Sequence, residues 1–218
     1  MFIGMREKFE MDKIIDFLRK NNVKTVLDIG ANVGHYSLAL KAAIPDLYVL
    51  MLEGNLFCAP ILEKTGLSYD IACLSNVEKK VKLYLNPRNM VCTGTSYYKE
   101  NTEHYTEETF ITVNTRTLDR VILSKFGDQR SFEFIKMDTQ GSELDIIEGG
   151  EKTFAKAKYI QMEVSLMEYN AGAPLKDHVF EYMENIGFKP EVMVEEHYWN
   201  QDPKNEVIQE DWIFLRNV

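Results

Sequence analysis

The sequence predicts an α/β protein with a mostly parallel sheet and a β-hairpin inserted after the third strand. Three observations carry this expectation. Short apolar, β-branched runs alternate with segments of helical periodicity, turn-forming residues bound most of them, and the alternation breaks only between residues 78 and 116. Strands joined through helices imply right-handed crossovers, so helices cover both faces of the sheet.

From residue 12 to about 20, Ile14, Ile15, Phe17 and Leu18 recur at helical spacing, and the pair Asn21 and Asn22 ends the pattern. "KTVLDI" (24–29) is the first strand, and "GHYSLALKAAI" (34–44) is a helix that stops before Pro45. "LYVLML" (47–52) is a strand, "NLFCAPILEKTG" (55–66) a helix with Pro60 early in it, and "YDIACL" (69–74) the third strand. "KKVKLYLN" (79–86) and "TFITVNTR" (109–116) form the hairpin, with a long polar and aromatic loop between them. Alternation then returns: helix "TLDRVILSKFG" (117–127), strand "SFEFIKMD" (131–138), helix "SELDIIEGGEKTFAKA" (142–157) and strand "KYIQMEV" (158–164). Helix "PLKDHVFEYMENIG" (174–187) leads to strands "FKPEVMVEE" (188–196) and "DWIFLR" (211–216), which flank the polar loop 197–205. With no repeat, linker or low-complexity tract, 1–218 reads as a single domain, with 1–23 an N-terminal helical segment and 78–116 the insertion.

Composition narrows the function. A net charge of -9 argues against nucleic acid as a partner, because binding to a phosphate backbone draws most of its affinity from Lys and Arg. No apolar run approaches the ~18 residues of a membrane span, and the N-terminus is too charged for a signal-peptide core. No membrane partner and a cytoplasmic location are therefore expected. Cys58, Cys73 and Cys92 lack C-x-x-C spacing and read as reduced thiols.

The stretch "VLDIGANVGHYS" places Asp28, Gly30, Asn32 and Gly34 where a buried strand passes into a helix. Such a loop lets backbone approach a ligand closely, although a tight turn alone can also demand glycines. Glu53 follows the second strand, about twenty residues on, where an acid can accept hydrogen bonds from a ribose diol. The spacing lacks the middle glycine of G-x-G-x-x-G that accommodates a pyrophosphate, and Asp28 suits a cationic ligand. S-adenosylmethionine, with an amino acid, a sulfonium and a ribose, meets these conditions.

These residues, together with "LEGN", "ACLSN", "GTS", "TRTLD" and above all "FIKMDTQGSELDIIEGG" followed by "IQMEV", resemble the FkbM-type family of S-adenosylmethionine-dependent methyltransferases over roughly residues 24–165. The family's usual D-V-E-G near the fourth strand reads Asp138-Thr139-Gln140-Gly141 here. The resemblance implies a Rossmann-like class I methyltransferase fold with a seven-stranded sheet. It implies that Gly30, Ala31, Asn32 and Gly34 surround the methionine moiety, with Tyr36 and Ser37 helping, Glu53 on the ribose, Cys73 and Leu74 beside adenine, and Asp138 and Gln140 at the cofactor's edge. It also implies O-methylation, on a sugar or a small natural product.

Methyl transfer from a sulfonium needs alignment and exclusion of water, and an alcohol acceptor also needs a base. Ligands of such sheets bind beyond the carboxyl ends of the strands. Asp138 closes the fourth strand and is the first candidate base. Glu163, near the end of the fifth, and His197 follow. Ser142, Glu143 and Asp145 offer Asp138 a purely local alternative at a helix start. Asp138 and Glu163 with Asn170 could instead hold Mg²⁺. Two aromatic loops, one with Tyr97, Tyr98, His104 and Tyr105 and one with His197, Tyr198 and Trp199, are placed to cover a small hydroxylated acceptor. Competing readings are a nicotinamide-dependent oxidoreductase, for which no Tyr-x-x-x-Lys pair occurs, and a catalytically weak cofactor-binding or interaction protein. Oligomeric state leaves no mark on the sequence.

Overall fold

The computed structural model describes residues 2–127, 130–199, 202 and 204–217, with side chains from residue 11 onward. In chain order, α1 (Phe2–Lys20), β1 (Thr25–Ile29), α2 (His35–Ala43), β2 (Tyr48–Glu53), α3 (Ala59–Leu62) and β3 (Ser68–Ile71) come first. The hairpin β4 (Lys80–Tyr84) and β5 (Phe110–Asn114) follows, then α4 (Leu118–Phe126), β6 (Phe134–Met137), α5 (Glu143–Glu148) and α6 (Glu151–Phe154). β7 (Tyr159–Ser165), α7 (Lys176–Asn185), β8 (Phe188–Tyr198) and β9 (Val207–Arg216) complete the described chain.

Seven strands form one sheet in the order β3-β2-β1-β6-β7-β9-β8, while β4 and β5 pair separately and antiparallel. The pairings of β3 with β2, β2 with β1, β1 with β6 and β6 with β7 are parallel. β9 enters antiparallel between β7 and β8. The strand order reverses between β1 and β6, and such switch points at the carboxyl ends of strands are where open α/β sheets bind ligands.

Two apolar layers flank the sheet. Leu27, Leu50, Ile135 and Ile160 meet residues of α4, α5 and α7 on one face; Val26, Met51, Phe134 and Ile213 meet α1 and α2 on the other. Alternation along each strand divides the residues this way, since successive side chains point to opposite faces. Among the described residues no helix is long and apolar enough to cross a membrane.

Several boundaries differ from expectation, each for a local reason. The segment 55–66 is a chain of short turns around α3, started by the Asn55 side chain accepting from the Phe57 N–H, with Pro60 in the first turn of α3. The helix expected over 142–157 breaks into α5 and α6 at Gly149 and Gly150, where the Asp119 carboxylate accepts the N–H groups of Lys152 and Thr153 and starts α6 afresh. β3 ends at Ile71, so Ala72, Cys73 and Leu74 leave the sheet. The last two strands run beyond the expected limits, absorbing His197 and Tyr198 into β8 and residues 207–210 into β9. In the loop between them, Asn200, Gln201 and Pro203 lie outside the described residues. Pro190 is tolerated because β8 is the sheet's edge, with a register irregularity beside it.

Candidate active site

At the carboxyl ends of β1, β2 and β6 lies a narrow cleft of about 60 Å³. Gly30, Asn32, Glu53, Cys73, Leu74 and Asp138 all line it, so six of the residues singled out from the sequence converge on one space. The chain turns sharply after β1: Gly30, Asn32 and Gly34 all have positive φ. At Gly30 (φ +76) a Cβ would stand 1.9 Å from the Asp138 carbonyl oxygen, so only glycine lets the β1 turn lie against the end of β6.

Glu53 organises the other wall. Its carboxylate accepts the N–H groups of Asn32 and Asn55, each at 2.7 Å, which ties the first turn to the second. Each oxygen keeps a further lone pair for a ligand. Burial pushes the Glu53 carboxyl above its ordinary value, partly offset by those two N–H donors.

The inserted segment closes the cleft, a role its polar sequence did not announce. The Asn32 side chain donates to the carbonyls of Val91 (3.0 Å) and Cys92 (3.2 Å), and Asn55 donates to Met90 (2.6 Å). Thr93, Thr95, Ser96 and Tyr97 thereby line the cleft as well. Their signal was the two asparagines, whose amides find carbonyl partners only across the chain.

Asp28, Ala31, Gly34, Tyr36 and Ser37, expected around the ligand, lie outside the lining of the cleft. Asp28 is fully buried beneath the loop, accepting from the Ser37 hydroxyl at 2.6 Å. Tyr36 donates to Gln161 at 2.7 Å. Ala31 joins the core, and Gly34 turns toward Met51 and Leu62. These residues support the loop from below.

Beside Asp28 stands a group the sequence reading missed. Lys136, in β6, directs its ammonium at the Asp28 carboxylate (3.5 Å), the Asp138 carboxylate (3.4 Å) and the Gly30 carbonyl (3.2 Å). Burial alone would lower its pKa, but the charges of Asp138 and Asp28 outweigh that and raise it, so it is a fixed cation. The signal was a lysine inside a strand whose burial is otherwise complete, since such a charge has to be paired.

Asp138 also lines a second, more open cavity of about 560 Å³, which shares Thr93 and Asp138 with the first. Gln140, Glu163, Tyr169, His197 and Trp199 line it. The Gln140 side-chain amide donates to both Asp138 and Glu163, at 2.9 Å each, so a carboxamide here links two carboxylates that an acid at 140 would repel. The helix start behind Asp138 is served by Glu143 instead, which accepts the N–H groups of Thr139 and Gly141. Burial, then the charges of Asp138 and Asp211, push the Glu163 carboxyl well above the ordinary range.

His197, the third candidate base, is engaged by carboxylates. Its Nε2 lies 2.7 Å from Asp211 and 3.8 Å from Glu163. Burial would lower its pKa, but the Asp211 hydrogen bond and charge prevail and push it up to about 10. Asn170 does not join Asp138 and Glu163 as a magnesium ligand set: its amide donates to the Tyr98 carbonyl, and it lines neither cavity. Of the first aromatic loop, His104 reaches the second cavity. The hydroxyls of Tyr97 and Tyr98 are engaged by Asp145, and Tyr105 is buried. From the second loop His197, Tyr198 and Trp199 all line it.

Comparison with known proteins gives a family and a fold. A family model described as the methyltransferase FkbM domain matches residues 28–190. No curated protein matches the sequence. Among solved structures, PH1948 from Pyrococcus horikoshii, assigned as an RNA methyltransferase, is similar with a TM-score of 0.53 at 10% identity, covering 95% of this chain and 83% of that one. An S-adenosylmethionine-dependent methyltransferase from Clostridium acetobutylicum gives 0.50 at 10% identity, covering 97% and 92%. The 1,6-didemethyltoxoflavin-N1-methyltransferase of Burkholderia thailandensis, solved with its substrate and S-adenosylhomocysteine, gives 0.51 at 10% identity, covering 96% and 79%. At such identities the likeness is one of fold, that of the class I methyltransferases.

Proposed function

Because the chain belongs to the methyltransferase FkbM domain family, we propose that it transfers the methyl group of S-adenosylmethionine to a hydroxyl of a sugar or other small polar molecule. The observation that carries this reading is the meeting of the two cavities at Asp138. A donor in the enclosed cleft and an acceptor in the open one would come together at that carboxylate. In-line displacement asks the protein mainly to align oxygen, carbon and sulfur, and the strand ends are rigid enough to do so.

In this reading the Glu53 carboxylate accepts from the ribose hydroxyls, the Asn32 loop holds the methionine end, and Cys73 and Leu74 flank the adenine. Asp138, held by Lys136 and Gln140 and lying at the mouth of both cavities, takes the proton of the acceptor hydroxyl. Among the described residues no Lys or Arg lines the second cavity, which favours a neutral polyol over a phosphate-rich acceptor such as nucleic acid. The rings of Tyr169 and Trp199, edge to face at 6.2 Å, offer flat apolar surface to a sugar ring.

Calorimetric titration tests the cofactor assignment. S-adenosylmethionine and S-adenosylhomocysteine are expected to bind in the micromolar range, NADH not at all, and Glu53→Ala is expected to lose adenosyl binding. Binding of NADH alone would refute the assignment. Because burial raises the Glu53 carboxyl and the ribose contact calls for the carboxylate, affinity is expected to fall as pH drops through that raised value, above the usual carboxylate range. Glu53→Gln is expected to bind weakly with no such pH dependence, measured by the same titration from pH 4 to 8.

Asp138→Asn is expected to lower methyl transfer by roughly a hundredfold, the low end for removing a general base, while S-adenosylhomocysteine affinity changes little. Single-turnover transfer from radiolabelled donor to an acceptor identified by screening polyols measures it. Unchanged transfer would remove Asp138 from the chemistry.

A further inference from the structure

We infer that Glu163, His197 and Asp211 form a binding site for a first-row divalent metal ion of the Mn²⁺ or Zn²⁺ kind. The three side chains come from three adjacent strands. Glu163 of β7 stands directly opposite Asp211 of β9, and His197 of β8 stands opposite Gln209, two residues from Asp211 on the same strand. Residues opposite each other in antiparallel strands share a face, as do residues two apart, so all three donors project from one face of the sheet. A rigid sheet therefore holds them together without loop closure.

Their spacing suits an ion. One ligand atom from each residue lies within 4.8 Å of the others. His197 Nε2 is 2.7 Å from Asp211 Oδ2 and 3.8 Å from Glu163 Oε2. With bonds of about 2.1 Å, two ligands of a tetrahedral ion lie about 3.4 Å apart, between those two distances. An ion seated there replaces the His197–Asp211 hydrogen bond, and any proton it held passes to solvent.

The outer groups are arranged to match. Gln140 and Gln209 both donate to Oε1 of Glu163, at 2.9 and 2.5 Å, which fixes the carboxylate and leaves Oε2 on the side of His197. One imidazole nitrogen with two carboxylates selects the borderline transition metals over Mg²⁺, which prefers oxygen alone. This donor set is distinct from the trio of Asp138, Glu163 and Asn170. Glu163 and His197 line the open cavity, so an ion there keeps a position free toward it. Resting on the reading of that cavity as the acceptor site, the ion polarises the acceptor hydroxyl whose proton goes to Asp138.

The test uses the full-length chain, stripped with a chelator and titrated with Mn²⁺ alone, followed by the loss of the free-ion electron paramagnetic resonance signal, and with Zn²⁺ alone by calorimetry. One ion per chain is expected to bind with micromolar affinity. His197→Ala and Asp211→Asn are each expected to weaken binding at least tenfold. Binding of S-adenosylhomocysteine by each variant reports that it has folded, and a variant that fails this check is replaced by the conservative His197→Gln or Glu163→Gln. Wild-type chain that takes up neither ion at millimolar concentration overturns the inference, and so does binding that the substitutions leave intact. Because the adenosyl ligand is titrated separately, loss of the metal site and loss of the methyltransferase reading give different results.

Discussion

Gly30→Ala is expected to destabilise the protein by more than about 3 kcal/mol and to abolish cofactor binding in whatever fraction remains folded. Two costs add. Left-handed backbone at φ +76 costs an ordinary residue about 1–2 kcal/mol. The new Cβ would also meet the Asp138 carbonyl oxygen at 1.9 Å and its carbon at 2.8 Å, and these are backbone atoms of a central strand end that cannot swing aside. Relief requires β1 and β6 to part where the Asp138 N–H donates to the Ile29 carbonyl, at 3.1 Å. For a chain of this length 1 kcal/mol corresponds to about 2–4 °C, so the midpoint of thermal unfolding is expected to fall by roughly 10 °C. A contrast is available at Gly66, also at positive φ but with nothing within 4 Å of its Cβ position, where alanine is expected to cost only the backbone component. Equal losses at the two sites would show that the close approach to Asp138 does not matter. Calorimetry and S-adenosylhomocysteine titration of both variants decide it.

Lys136→Met is expected to destabilise by about 3–5 kcal/mol, the range for breaking a buried ion pair from one side. The methionine fills similar space, so the loss is electrostatic. Asp28 is fully buried, and its Oδ1 has no hydrogen-bond partner; the Lys136 ammonium at 3.5 Å is what compensates its charge. Removing the cation strands that carboxylate and also frees Asp138, which loses the same ammonium at 3.4 Å. The double substitution Asp28→Asn with Lys136→Met is expected to recover more than about 1 kcal/mol, because coupled neighbours do not add. Denaturant unfolding of the four proteins of this cycle measures the coupling. Strictly additive losses would mean that the pair is not interacting.

The sheet was legible because periodicity is local. "KTVLDI", "LYVLML" and "FIKMD" announce buried strands by their own composition, and the glycines between 30 and 34 announce a turn. Glu53 and Asn32 stood out for the same reason, since Glu53 directly follows the run 47–52 and Asn32 lies three residues past the run 24–29. β9 was cut short, beginning only at Asp211, because Gln209 and Glu210 interrupt the apolar pattern; in the folded chain Gln209 stands opposite His197 and Asp211 opposite Glu163. Polar residues at regular alternation in a strand near the carboxyl edge are thus a sign of a site, and they look like loop when the chain is read alone. Tyr36 and Ser37 lie off the cleft lining because a helix's first turn offers both a cleft-facing and a core-facing side, and sequence position does not separate them.

By itself the sequence determined the α/β class, the points where strands hand over to glycine-bearing turns, the methyltransferase family, and the convergence of Gly30, Asn32, Glu53, Cys73, Leu74 and Asp138 on one cleft. Those are consequences of strand and helix patterns, which depend on neighbours in the chain. Only the tertiary structure decided that Lys136 holds Asp28 and Asp138, that Gln140 bridges Asp138 to Glu163, and that His197 lies against Asp211. Charge pairing inside a fold depends on which distant residues the strand register sets opposite one another and on how far water is excluded from them, and neither is written in local order.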